Sequence, residues 1–70
     1  MGMDVLEEFR FDALRVKRLR LHLGMTQEKF AKHLGVSQNI ISRWETSLAV
    51  PTMGHTLSAL IVAERKAGLS

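Results

Sequence analysis

The sequence predicts an all-α fold, one compact bundle of short helices. Three observations carry that expectation. Apolar residues recur at i, i+3, i+4 and i+7, the period of a helix with one buried face. Asp12, Thr26, Ser37 and Thr52 stand where the apolar runs begin, and Gly24, Gly35 and Gly68 stand where three of them end. These are the residue types that open and close helices. No stretch alternates with the period of a strand, and there is no internal repeat or low-complexity segment.

The first helix is expected from about Asp12, its N-cap, to Leu23, with Val16, Leu19, Arg20 and Leu23 on one face and Gly24 stopping it. The second covers about Gln27–Leu34. Thr26 caps it, Phe30, Ala31 and Leu34 face inward, and Ala31 is small where a neighbouring helix would cross closely. Gly35 can take the positive φ that ends a helix and turns the chain, and Val36 plugs the corner. Ser37 caps a third helix over about 38–46, with Ile41 and Trp44 inward. Thr46 to Pro51 is a loop, because Pro51 bars an earlier helix start. A fourth helix begins near Thr52, its cap, and runs unbroken to Ala67, with Met53, Leu57, Leu60, Ile61 and Glu64 on one side.

Residues 1–11 are expected to be an arm or short helix ahead of a domain at 12–70. Val5, Leu6 and Phe9 can make a short helical face; Phe9 and Phe11 can equally alternate in an extended arm. Either way the segment is expected against the outside of the first helix, where Leu14 and Leu21 form a second apolar stripe.

Seventy residues make one small domain, near the lower limit for folding without staples. The absence of Cys excludes disulfides and thiolate chemistry and fits a reducing cytoplasm. No apolar run is long enough to span a bilayer. The N-terminus is acidic and lacks the apolar stretch of a signal peptide. Charge is uneven. Residues 1–12 hold Asp4, Glu7, Glu8 and Asp12 against Arg10, a net of −3, whereas residues 13–70 hold nine Lys and Arg against Glu28, Glu45 and Glu64, a net of +6. The basic body suits a polyanion, nucleic acid being the usual one. Charge alone is equally compatible with a surface that is basic for solubility.

The densest information lies in Met25–Glu45, where two short helices flank the Gly35 turn and each opens on a hydroxyl followed by Gln. The two starts project Gln27, Gln38 and Asn39 towards one surface, and amides there suit phosphate oxygens and adenine edges. Arg20 precedes Leu23-Gly24-Met25-Thr26-Gln27, then come Phe30-Ala31, Leu34-Gly35-Val36-Ser37-Gln38, Ile41-Ser42, Trp44-Glu45 and Pro51. At these spacings the chain resembles the Cro and phage-repressor (Xre) family of helix-turn-helix DNA-binding domains. The likeness runs from about Val16 to Leu60, about two-thirds of the chain. It implies a lambda-repressor-like bundle of four or five helices, with helices 2 and 3 as the helix-turn-helix and the third helix in the major groove.

On that reading Ser37, Gln38, Asn39, Ser42 and Arg43 contact bases. Gln38 and Asn39 can each pair with adenine, Arg43 can pair with guanine or reach a phosphate, and Ile40 can meet a thymine methyl. Phosphate contacts are expected from Gln27, Lys29, Thr46 and Ser47. Gln27 would use its side chain and the adjacent N–H groups of the helix terminus, and it can brace Gln38 as in the family. The resemblance also implies an ion pair between Arg20 and Glu45. Arg20 falls on the buried face of its helix, where an unpaired guanidinium would be costly. A catalytic role for the pair has little support, because no second acid, metal site or nucleophile converges on it.

No enzyme activity, metal or cofactor is expected. His22, His33 and His55 fall on separate helices without a ligand pair at helical spacing. The Met residues read as core filler. Gly24 and Gly35 lack the Lys-Ser/Thr of a nucleotide loop, and Gln27 and Ser42 lack a base of the triad type.

Two departures from the family pattern matter. The family commonly has Gly shortly after the Glu and then basic residues, whereas this chain has Thr46-Ser47-Leu48-Ala49-Val50-Pro51. A positive φ at Ser47 is less comfortable than at Gly. Leu48 and Val50 either close over the core or form part of a subunit interface, the latter being favoured. The usual fifth helix is abbreviated or absent, with the fourth lengthened in its place.

The expected function is a repressor-like transcription regulator that binds double-stranded DNA as a homodimer on a palindromic operator. The alternative is an antitoxin or other interaction module that binds a toxin or other protein partner as well as DNA. Leu48, Val50, Val62 and Leu69 are the first candidates for the dimer contact, and Phe9, Phe11, Leu14 and Leu21 the second. In a competing arrangement Phe9 and Phe11 fold back on Leu14 and Leu21 to complete a monomer core.

Overall fold

The computed structural model describes residues 10–52 and 54–69. Among them the chain forms four helices and no strand: α1 (Ala13–His22), α2 (Gln27–Leu34), α3 (Gln38–Glu45) and α4 (Gly54–Ala67).

Each of the first three helices opens on the residue whose side chain can satisfy an orphan amide. Asp12 accepts from the Arg15 N–H at 2.9 Å, Thr26 from the Lys29 N–H at 3.2 Å and Ser37 from the Ile40 N–H at 3.3 Å. Such a cap contributes about 1 kcal/mol. The C-terminal ends share one device. After α2, Gly35 takes φ 76°, and the Val36 N–H reaches back five residues to the Ala31 carbonyl at 2.9 Å. A six-residue closure of this kind satisfies carbonyls that the helix leaves open.

The glycine-free end of α3 closes the same way. Ser47 has φ 65°, and the Leu48 N–H donates to the Arg43 carbonyl at 2.9 Å. The expected positive φ therefore falls on a residue with a Cβ.

Helical periodicity places the core. Val16 and Leu19 of α1, Phe30, Ala31 and Leu34 of α2, Ile41 and Trp44 of α3, and Leu60, Ile61 and Ala63 of α4 form one buried cluster, with Val36 packed at its edge. α2 packs on α3, α1 packs on α3 and α4, and α4 also touches α2. Fully burying a Leu, Ile or Phe contributes about 1.5–3 kcal/mol. The apolar stripes therefore decide which face of each helix turns inward.

Several expectations are corrected. α3 ends at Glu45 with Thr46 as its C-cap, one residue short of the expected end, and α4 is described from Gly54, close to the expected start near Thr52. Phe11 is only 2% exposed and belongs to the core, whereas Leu14 and Leu21 are exposed. Phe11 is thus neither an interface candidate nor folded onto those two leucines. Leu48 and Val50 stay exposed and do not close over the core; Ala49 between them packs against it, as does Leu69 after α4. The expectations for Val5, Leu6, Phe9 and Met53 lie outside the described residues.

Candidate nucleic-acid interface

The site is built on α3 and the start of α2. Ile41 and Trp44 anchor one side of α3 in the core, so its other side must face out. Gln38, Asn39 and Arg43 are exposed and Ser42 is half-buried. Gln38 with Ser42 and Asn39 with Arg43 are four residues apart, which stacks each pair on one face of the helix. Ile40 is exposed beside them. Ser37 serves as the cap by accepting from Ile40, and its hydroxyl keeps one hydrogen to donate outward. The five residues expected to meet bases therefore stand on one helix, Ser37, Gln38 and Asn39 at its N-terminus and Ser42 and Arg43 one turn later.

The expected ion pair is present and sets the tilt of that helix. Arg20 Nε donates to Glu45 Oε2 at 2.6 Å, and Nη2 donates to Oε1 at 3.0 Å. The two parallel bonds form a bidentate contact, which fixes orientation as well as distance. The side chains keep only 12% and 5% of their exposure. The remaining guanidinium nitrogen, Nη1, donates to the Met25 carbonyl at 3.0 Å in the turn before α2. One guanidinium thus ties α1, the α1–α2 turn and the end of α3 together.

Burial pushes the Glu45 carboxyl up, but hydrogen bonds from Arg20 and Gln27 and the charges of Arg20 and Lys17 together outweigh it and leave the carboxyl below its ordinary value. The Arg20 guanidinium is held above its ordinary value, chiefly by its hydrogen bond to Glu45.

Gln27 joins this network. Its Nε2 donates to Glu45 Oε1 at 3.2 Å, where bracing against Gln38 had been expected. A carboxylate can only accept, so the amide nitrogen must face Glu45 and the carbonyl oxygen must turn away. One N–H of that amide and the carbonyl remain for other partners. The contact could have been inferred from Glu45 itself. Two ionised oxygens offer about four acceptor positions, and Arg20 fills only two.

The remaining phosphate candidates are less closely gathered. Lys29 is exposed on the first turn of α2. Thr46 Oγ1 donates to the Ser42 carbonyl at 2.9 Å, so its hydrogen is engaged within α3. The N–H groups of Thr46, Ser47, Leu48 and Ala49 are all bonded to carbonyls of α3. Ser47 is exposed, and its side chain is what this turn can offer a phosphate.

A second ion pair was missed. Arg15 Nε and Nη2 each donate to Glu64 at 2.7 Å, and Nη1 donates to the Arg10 carbonyl at 2.9 Å. The Arg15 guanidinium also lies 3.8 Å from the centre of the Phe11 ring. The sequence holds half of the signal: Glu64 falls on the apolar face of α4 and a buried carboxylate requires a cation, but spacing does not say which one. The pair sits between α1 and α4 and holds the bundle rather than the DNA-facing helices.

His22, His33 and His55 lie on α1, α2 and α4, and among the described residues no three metal-ligating side chains converge. No helix among the described residues is long and apolar enough to cross a membrane.

A comparison with curated proteins and one with solved structures found no match. A family model described as helix-turn-helix matches residues 16–55, the segment from the middle of α1 through α2 and α3 to the start of α4. That segment holds the Arg20–Glu45 pair, both N-caps of the paired helices and the exposed face of α3. The chain belongs to the helix-turn-helix family of Cro and Xre type, whose members are DNA-binding transcription regulators.

Proposed function

We propose that this protein is a sequence-specific regulator of the repressor type, acting in the cytoplasm as a homodimer on a palindromic operator. The observation that carries the proposal is the outer face of α3. Gln38, Asn39, Ser42 and Arg43 have no role in the core, yet they stand on a helix held by a bidentate buried ion pair. Side chains of these types match the donor and acceptor patterns of adenine and guanine in the major groove.

In the proposed complex the N-terminal half of α3 lies in the groove. Gln38 and Asn39 contact adenines, Arg43 takes a guanine or a phosphate, Ser37 and Ser42 meet neighbouring base edges, and Ile40 meets a thymine methyl. Gln27, Lys29, Ser47 and, after rotation of its hydroxyl, Thr46 contact the backbone. The free N–H groups at the start of α2 add to the Gln27 contact. Arg20 and Glu45 position α3 without touching DNA, and no catalytic role is assigned to any residue. Two copies one helical turn apart would place two recognition helices in successive major grooves.

Leu48 and Val50 are exposed at the end of α3 and Val62 on α4, and they form the proposed contact between copies. The same apolar loop favours a second reading, in which the protein also binds a toxin-like or other protein partner. The test is a gel shift on the DNA upstream of its own gene at several salt concentrations. The proposal expects a retarded complex whose affinity falls with salt and that survives excess unrelated duplex. Binding no tighter than to unrelated duplex would overturn the sequence-specific reading. Co-purification of a neighbouring gene product would favour the partner-binding one.

A further inference from the structure

The two bidentate ion pairs fix how α1 is turned about its own axis. Arg15 reaches across to Glu64 of α4, and Arg20 reaches to Glu45 at the end of α3. Val16 and Leu19 are buried between them. One flank of α1 therefore faces α4 and the other faces α3. The helix carries two further Lys or Arg residues, Lys17 and Arg18, both exposed and neither in a salt bridge among the described residues. Residues three apart are neighbours on a helix surface. Arg18 lies three residues from Arg15 and belongs to the α4 flank, whereas Lys17 lies three residues from Arg20 and belongs to the α3 flank. Electrostatics agree with that division. The Glu45 carboxyl, pushed up by burial, is drawn below its ordinary value by Arg20 and Gln27 and also by the charge of Lys17.

Glu45 stands where the DNA backbone would border the site. It accepts from Gln27 at the start of α2, itself a proposed backbone contact. A lone carboxylate there would repel phosphate. Arg20 has no nitrogen to spare, since each of its three is bonded to Glu45 or to the Met25 carbonyl. The turn after α3 supplies no cation, because residues 46–51 hold no Lys or Arg. The Thr46 hydroxyl and the N–H groups from Thr46 to Ala49 are already bonded to carbonyls of α3. The charge that this turn lacks is present on α1. A lysine ammonium is a point charge on a flexible stem and holds a phosphate without demanding one geometry.

We propose that Lys17 contacts the DNA backbone, holding a phosphate beside the start of α2 and the end of α3, in place of the cations that the turn after α3 lacks. The proposal rests on the reading of α3 as the DNA-facing helix.

Arg18 provides the control, because Lys17→Gln and Arg18→Gln remove the same charge from adjacent exposed positions. The affinity of the full chain is measured against salt, on the motif that the native protein selects and on an unrelated duplex. One phosphate contact contributes about 0.9 to the slope of log affinity against log salt. Lys17→Gln should flatten the slope by about that amount for each copy bound, on both duplexes. Between about 50 and 200 mM salt, its affinity should then fall roughly three- to fourfold less than that of the native chain, per copy. The selected motif should stay the same. Arg18→Gln should leave the slope close to native, and both variants should melt as the native chain does. A native slope in Lys17→Gln would overturn the proposal. An equal flattening in both variants would overturn it too, because it would show an effect of net charge alone. Failure of the α3 reading has a different signature: the native chain would then prefer no motif, while the slopes on unrelated duplex still decide the role of Lys17.

Discussion

At the scale of single residues, the placement of α3 depends on Arg20 and Glu45. Each has lost most of its water, and each is compensated by the other and by Met25 or Gln27. Removing one partner strands a buried charge, so Arg20→Met or Glu45→Leu alone should destabilise the fold by about 3–5 kcal/mol. The double replacement should recover much of that loss in a melting comparison; near-neutral single variants would show the pair to be dispensable. The pH dependence has a definite sign. Because the Glu45 carboxyl lies below its ordinary value in the folded state, its contribution is present in full above the ordinary Glu value and is lost as pH falls through the lowered one. The native protein should therefore lose stability below about pH 4 more steeply than Glu45→Gln. Thr56 makes a second residue-scale case. It is 1% exposed, and its hydroxyl finds no hydrogen-bond partner among the described residues. Thr56→Val keeps the shape and removes the unsatisfied group, so it should be neutral or stabilise by about 1 kcal/mol; a clear loss of stability would reveal a partner for the hydroxyl. The Arg20–Glu45 pair was legible in the sequence because both residues fall at recognisable positions. The Arg15–Glu64 pair was not, because nothing in local spacing says which of ten Lys and Arg residues meets a carboxylate forty-nine positions away.

At the scale of elements, the boundaries follow capping chemistry. Asp12, Thr26 and Ser37 cap as their sequence positions suggest, and α2 has the limits that Thr26 and Gly35 imply. α4 is described from Gly54, close to the start that Thr52 suggests. The end of α3 departs from the expected chemistry. The closure there imposes φ 65° on Ser47, a conformation that costs an L-residue roughly 1–2 kcal/mol. Ser47→Gly should therefore stabilise the protein by about 1 kcal/mol, less whatever the more flexible unfolded chain gives back. Chemical denaturation measures this directly, and an unchanged or lower midpoint would mean that the turn carries no strain at Ser47. The same variant separates stability from binding, since it removes a hydroxyl proposed to meet a phosphate.

At the scale of the whole molecule, the bundle and its exposed α3 face could be read from apolar period and polar remainder. The outer surface of α1 could not. Leu14 and Leu21 have the right period to be buried, yet the described bundle is complete without them. Periodicity shows that a face is apolar, and only packing shows what meets it. Leu48 and Val50 raise the same question at the end of α3. If they join two copies, sedimentation at tens of micromolar should find a dimer, and Leu48→Ser with Val50→Ser should yield a monomer whose melting is nearly unchanged, since exposed substitutions usually stay within about 0.5 kcal/mol. A native chain that remains monomeric there removes the dimer. The central claim is that the outer face of α3 reads DNA sequence. The most direct test is selection of binding sites from a random duplex library, comparing the native protein with a variant carrying Gln38→Ala, Asn39→Ala and Arg43→Ala, and with Gln27→Ala alone. Each α3 replacement should cost about 1–3 kcal/mol on the preferred site and relax the preference at its own position, so the triple variant should select no shared motif. Gln27→Ala should keep the motif and bind every sequence more weakly. Recovery of the native motif by the triple variant would contradict the account.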